Sequence, residues 1–577
     1  RDRGYLKFSI ESSQISLSRD KKSIFITFNL NEGKKYKIND VDVVGDIPFD
    51  EEIYLEIVEG LKDTTYSQAQ ITSIEEFFTN VLGNRGYAFA EVTGNPEVNE
   101  ETSEVKLIFS VQPGNKTYTR KILFTGNDIT QDHVLRREMR QFEGAWTSDN
   151  SIEAGKVRLE RLGYFKEVNV ETIPVPGTDD QIDIVYSVEE ETTGSVGGNI
   201  GYSDFGLMLG FNLQEQNFLG SGNTVGIGIN KNIYSEMYNI SYMNPYATKD
   251  GVSLGYNLYF RETDYGEFNV ANYLTNSNGF GAQFGYPISD ITRLGFNLTY
   301  DKTDIDIGNL PAREIYDFVA AEGNIFETLT AQLSWQRVTL NRGLFPTDGA
   351  STAISVSSTI PGSDLNYYRL NIRQRYYQPL TQDLVFGFQG ELGYLDAYGD
   401  TEETPFFQNF YAGGPRSLRG FESNTLGPRS TDAPCYEFNY AEGICPNLID
   451  IDGDGELDTP YYNPYANQTS RYRDAPIGGN IKIEGSLQLI FRLPFIEDQR
   501  SLRSAFFFDF GNVFSDNCKE YQINCSKPSV DDLRYSYGVG VTWITGFGPM
   551  SLAIAKPTNA GPRERTEEFQ FTVGNVF

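Results

Sequence analysis

Beyond about residue 190 the chain alternates with a period of two. In 481–489, Ile481, Ile483, Leu487 and Leu489 alternate with Lys482, Glu484, Ser486 and Gln488. In 368–376, Tyr368, Leu370, Ile372 and Tyr376 alternate with Arg369, Asn371, Arg373 and Arg375. That period places apolar side chains on one face of a strand and polar ones on the other. Sixteen such strands can be marked from Gly194 onward, the sixth near Gly279, the eighth near Leu329 and the last near Glu568. Turns such as Leu219-Gly220-Ser221-Gly222 and Pro346-Thr347-Asp348-Gly349 alternate with longer loops, the longest at roughly 397–478. The pattern predicts no helix here to cover a soluble sheet. A closed barrel satisfies every backbone group in lipid, so 191–577 is expected to form a 16-stranded antiparallel transmembrane β-barrel.

The first third mixes helical and strand periods, and it repeats. Arg3-Gly4-Tyr5, Arg85-Gly86-Tyr87 and Leu162-Gly163-Tyr164 each precede a strand, a polar turn and a second strand. The second strands are predicted over Ser23–Leu30, Glu104–Val111 and Gln181–Val188. Openings recur as well: Tyr36 to Gly45 parallels Tyr118 to Gly126, and helical patterns such as Val134–Gln141 and Ile152–Leu162 lie between. The unit reads β-α-α-β-β and resembles the POTRA (polypeptide-transport-associated) domain. Residues 34–113 and 114–190 make two such α+β units, and 1–33 reads as the C-terminal hairpin of a third.

Composition narrows the chemistry. The 577 residues carry 48 basic and 79 acidic side chains, a net charge of −31 that repels nucleic acid. No run of 18 apolar residues occurs, which excludes a helical membrane protein. Four cysteines form two close pairs, Cys435/Cys445 and Cys518/Cys525, spaced for local disulfides in an oxidising compartment. With His133 as the sole histidine and no C-x-x-C, neither a zinc site nor Ser-His-Asp catalysis is expected. The chain does not read as an enzyme. One acidic run, Asp450, Asp452, Asp454, Glu456 and Asp458 around Gly455, matches the front of an EF-hand loop, with Tyr461 where the bidentate Glu belongs. It is a candidate for weak calcium binding; no other cofactor is expected.

POTRA repeats followed by a barrel resemble the Omp85 superfamily. Phe569, Phe571, Val573 and Phe577 share one parity and resemble the C-terminal signature of bacterial outer-membrane proteins. The strings Leu135–Gln141, Asn217–Gly222, Arg342–Gly349 and Phe410–Gly414 bring the resemblance closer to the BamA family. The resemblance implies that further POTRA units precede this segment, and that the barrel is integral to the outer membrane of a Gram-negative bacterium with its POTRA units in the periplasm. It implies an insertase that folds β-barrel clients, which arrive with periplasmic chaperones, and that works with BamD-like and other accessory lipoproteins. The alternative is a translocation pore, a two-partner secretion exporter or a TamA-like subunit.

Site residues follow by motif. Arg419, Gly420 and Phe421 match the family's loop motif, whose arginine pairs with an acidic residue in a strand motif, here Asp509. A second acidic partner falls on the uncharged Gln488, and Glu484 on the same face is its expected substitute. Arg136, Arg140 and Glu143 correspond to residues that contact BamD. Separately, Gly194, Gly197, Gly198 and Gly201 enrich the first barrel strand, while Gly574 interrupts the last, which ends at Phe577. Glycine weakens strand pairing, so the closing seam reads as a lateral gate.

Overall fold

The computed structural model describes residues 1–18, 24–48, 60–203, 206–268, 270–271, 273–289, 291–307, 312–430, 475–493, 501–519, 522, 524–545 and 548–574. They divide into two units. The first spans Arg1–Thr193 with Leu219–Gly222, and the second Gly194–Phe218 with Asn223–Phe577.

In the first unit, β1 (Ser9–Leu17) and β2 (Ile24–Asn31) form an antiparallel pair. Next come β3 (Lys37–Gly45), α1 (Gln68–Gly83), β4 (Glu91–Asn99) and β5 (Glu104–Gln112), then β6 (Tyr118–Thr125), α2 (Asp132–Arg136), α3 (Asp149–Arg161), β7 (Phe165–Pro174) and β8 (Gln181–Glu190). Each set makes a three-stranded sheet with its last strand in the middle, in the orders β3-β5-β4 and β6-β8-β7. The central strands alternate as predicted. Val105, Leu107, Phe109 and Val111 turn onto Ile71, Phe78 and Leu82 of α1. Ile182, Ile184, Tyr186 and Val188 turn onto Ile152 and Leu159 of α3.

The repeat extends to local stereochemistry. Ser67 and Ser148 take nearly the same extended backbone and cap α1 and α3 by accepting from Gln70 N and Ser151 N. Gly45 ends β3 and Gly126 directly follows β6, with φ of +116° and +85°. A Cβ there would sit 2.1 Å from Val111 O or 2.0 Å from Val188 O, so both positions demand glycine. The predicted helix over Val134–Gln141 is shorter than expected. It ends at Arg136 because Glu138 and Met139 donate to Leu135 O and Arg136 O in tighter turns, Arg158 holds Glu138 at 2.6 Å, and Gln141 accepts from Ser148 N.

The second unit is a closed barrel of sixteen antiparallel strands, β9 to β24, between Gly194 and Val573. Its closing strands are β9 (Gly194–Ser203), β10 (Gly206–Glu215), β23 (Gly548–Thr558) and β24 (Phe569–Val573). The outer surface is apolar. Leu552 and Ile554 are 43% and 65% exposed, whereas Ser551, Ala553 and Ala555 between and beside them are at most 3% exposed. Leu207, Leu209, Phe211, Phe280, Phe284 and Phe506 also point outward. So continuous an apolar face is stable only against hydrocarbon. The sixth strand, β14 (Leu274–Ser289), starts five residues before Gly279, its polar opening Thr275-Asn276-Ser277 pairing with β15 (Thr292–Asp306).

The expectation of no helix past residue 190 fails. Helix α4 (Arg313–Glu322) lies between β15 and β16 (Ile325–Val338) and buries Ile315 and Phe318 against Phe326 and Phe406. Alternation cannot register a ten-residue helix whose apolar positions are three apart.

Substituting Gly126→Ala forces a left-handed backbone on a residue with no room for its Cβ. Expected is a loss of about 1–3 kcal/mol in the last POTRA unit, read as faster amide exchange of the β6–β8 ladder in the full chain. Unchanged rates would show that the shared glycine is incidental.

Candidate functional site: a lumenal loop anchor and the barrel seam

The long loop leaves β19 (Leu384–Ala397) and turns back into the barrel. Gly413 and Gly414, both at φ +103°, make the reversal, and Gly413 N donates to Ser417 Oγ. Leu418 and Phe421 then bury completely, with Arg419 between them 5% exposed.

Arg419 meets β21 (Leu502–Phe514). Alternation turns Phe506 and Phe508 outward and Phe507 and Asp509 inward, leaving Asp509 without solvent exposure. Arg419 Nε and Nη2 each donate to an Asp509 carboxylate oxygen at 2.7 Å, and its backbone N–H adds a third bond at 3.2 Å. The guanidinium carbon stands 3.5 Å from the Phe507 ring centroid, and Nη2 also reaches Ser486 Oγ at 2.9 Å. A bidentate ion pair roofed by an aromatic ring compensates two desolvated charges better than a single contact could. Gly420 keeps φ +89°, and a Cβ there would press on Ala555 at 3.1 Å.

The second partner differs from expectation. On β20 (Ile481–Phe491), Gln488 donates to Ser486 Oγ at 3.3 Å and does not accept from Arg419. Glu484 does not bond Arg419 either; it accepts from Ser417 Oγ at 2.7 Å and pairs with Lys482 at 3.0 Å. Lys482 in turn pairs with Glu391, and Glu391 with Arg373. The loop therefore has a second attachment, two residues before Arg419, at the end of a row of alternating charges on the inner wall. Ser417 escaped sequence reading because a lone loop serine carries no spacing signal.

The seam is uneven. β9 pairs with β10 over ten positions, from Ser203↔Gly206 to Gly194↔Glu215. β24 pairs with β23 over five. Among the described residues, β24 meets β9 at one position, Val573↔Tyr202. Gly201 and Gly574 make that approach possible: a Cβ on Gly574 would lie 3.2 Å from Gly201 Cα, and one on Gly201 would lie 3.2 Å from Val573 O. Gly197 and Gly194 instead make room for the Asn212 and Glu215 side chains, and Gly198 faces open space apart from a distant Gly210 O.

In the last POTRA unit, Arg136 donates to Asp132 at 3.0 Å, Glu143 at 3.1 Å and Ile122 O at 3.1 Å, and lies over the Phe124 ring. Burial opposes its charge, but Asp132 and Glu143 raise its pKa above the usual arginine value. Arg140 lies beyond the end of α2, exposed. Cys518 and Cys525 form a disulfide. Cys435, Cys445, the acidic run Asp450–Asp458 and Phe577 lie outside the described residues.

Comparison with known proteins places this geometry. The Omp85 superfamily domain matches residues 217–577, and the POTRA model, described as a surface antigen variable number repeat, matches 36–114 and 117–191. Outer membrane protein assembly factor BamA of Neisseria meningitidis is 30% identical over 604 aligned residues, covering all of this chain and 71% of that protein. The chain belongs to the BamA family of the Omp85 superfamily. The same-named protein of Nitratidesulfovibrio vulgaris is 23% identical, covering all of this chain and 66% of the relative. A crystal structure of BamA from Haemophilus ducreyi lacking POTRA domains 1–3 superposes with a TM-score of 0.77 at 31% identity, covering 93% of this chain and 99% of that one.

For this BamA-family barrel, Arg419→Ala leaves Asp509 buried with no counter-charge. A cost of about 3–5 kcal/mol is expected, read as new protease cleavage within 410–430 in detergent-solubilised barrel. A loop that stays as resistant as in the parent would refute its dependence on the ion pair.

Proposed function

We propose that this chain folds and inserts β-barrel proteins into the outer membrane of a Gram-negative bacterium, without nucleotide or covalent chemistry. Among the described residues, β24 and β9 share one matched position against ten between β9 and β10, and this contrast carries the reading. In hydrocarbon an unpaired N–H or C=O costs several kcal/mol, so the edge of β9 presents a row of groups that an incoming strand can satisfy. Each bond a client makes there offsets the cost of the edge, and the client enters the bilayer as it folds. The POTRA units face the periplasm in this reading, and their sheets offer edge strands to an extended client. Arg419, Leu418 and Phe421, buried on the inner side of the wall, narrow the route that an export pore would need.

A BamD-like lipoprotein docks, in the same reading, on the last POTRA unit around Arg136, Arg140 and Glu143. Arg140 is the cleaner probe, because Arg136 also ties Asp132 and Glu143 to the sheet. Arg140→Glu is expected to weaken capture of the partner lipoprotein about tenfold or more while leaving the unit folded. Capture at parental strength would move the docking site elsewhere.

The seam itself is tested by the pair Tyr202→Cys and Val573→Cys, which stand opposite each other. Reconstituted with its accessory partners, the oxidised double variant should fail to insert a client barrel and recover on reduction, with each single variant unaffected. Insertion at the parental rate in the oxidised form would reject release through this seam.

A further inference from the structure

β9 ends at Ser203, and its match to β24 is at Tyr202. Residues 563–571, the approach to β24 and its first residues, therefore run on past the end of the first strand. Its two edges can be told apart by parity. Even residues face β23: Ala555 N donates to Glu568 O at 2.8 Å and Gly574 N to Pro549 O at 2.7 Å. Odd residues face the seam, as Val573 does toward Tyr202.

On that odd edge, where β9 is missing, the lumenal loop takes its place. Glu567 N donates to Gly420 O at 2.9 Å, and Glu422 N to Arg565 O at 3.0 Å. Together they form an antiparallel bridge centred on Phe421↔Thr566. Arg565 N donates to Thr425 Oγ1, and its guanidinium pairs with Glu422 at 2.9 Å. One side chain of β24 fastens the arrangement: Gln570, 1% exposed, accepts from Gly420 N at 3.3 Å and donates to Phe421 O at 2.8 Å.

We propose that Leu418–Glu422 is an edge cap: a short surrogate strand that occupies the free edge of the last strand beyond the reach of the first, with Gln570 as the residue that positions it. An exposed edge invites pairing with any extended chain, and a resident cap suppresses it. The cap also links the lumenal plug to the strand at the seam, so an extended peptide pairing along 565–570 has to displace it. That last consequence rests on the seam reading; the cap itself does not.

The test is residue-resolved hydrogen exchange on the full chain in lipid nanodiscs, with no client present, so its outcome does not depend on how clients are released. In the parent protein the Glu422 and Glu567 amides should be protected together. In Gln570→Leu, which keeps the bulk and removes the bonds to Gly420 and Phe421 together with a longer one to Glu567 Oε2 at 3.5 Å, these two amides should exchange about tenfold faster. The Ala555 and Gly574 amides on the opposite edge should keep their rates. Gln570→Glu retains the acceptor for Gly420 N and should give an intermediate rate. The proposal is overturned if Glu422 and Glu567 already exchange like unstructured loop amides, if Gln570→Leu leaves them unchanged, or if it speeds Ala555 and Gly574 equally.

Discussion

A bilayer core contains nothing that can satisfy a peptide group, and the architecture of the second unit follows from that constraint. It requires a closed ring, and the ring closes through sixteen antiparallel strands. It also assigns a cost to any place where the ladder thins. Among the described residues the ladder thins at β24 and β9, where glycines on both strands let the backbones pass closely with one matched position. A soluble barrel could leave such a gap to water at little cost. In the proposed reading, the same thinning in lipid is a standing demand for a partner.

The interior meets the opposite problem, charge away from bulk water. Arg419 and Asp509 are both nearly or fully buried, and each is satisfied on several sides. The row Arg373, Glu391, Lys482 and Glu484 alternates in sign and ends on the loop hydroxyl of Ser417. Removing one member of such a set leaves its neighbours exposed to each other's field at low dielectric, so the set behaves as a unit. The loop is thereby held by β20 and β21 on one side and by β24 on the other.

Much of this was legible from one-dimensional pattern. Alternation is a direct image of a strand with lipid on one face, which is why strands expected at Gly194, Thr224, Thr292, Tyr367, Leu384 and Leu502 begin on those residues. The POTRA repeat was visible because its glycines, Gly45 and Gly126 among them, are required by backbone geometry rather than by packing. Helix α4 was not, since Ile315 and Phe318 make too short a helical signal beside strands. The Arg419–Asp509 pairing came from a motif and from parity, whereas Ser417, Gln570 and the true engagement of Glu484 depend on which side chains the folded loop brings together. Contacts between segments about 150 residues apart, such as Gly420 with Gln570, leave no trace in local spacing.

The loop's position in the chain has a consequence for how the molecule itself is made. It precedes β20, yet the polar partners that Ser417, Arg419, Gly420 and Phe421 find outside the loop belong to β20, β21 or β24 and its approach. During synthesis those partners do not yet exist when the loop emerges, although the Tyr273 and Phe318 rings that receive Phe406 do. Contacts of such long sequence separation form late, so the polar anchor of the loop is completed after most of the circumference has been made. Only the arrival of the final strand supplies Gln570, which completes the seat of Gly420 and Phe421.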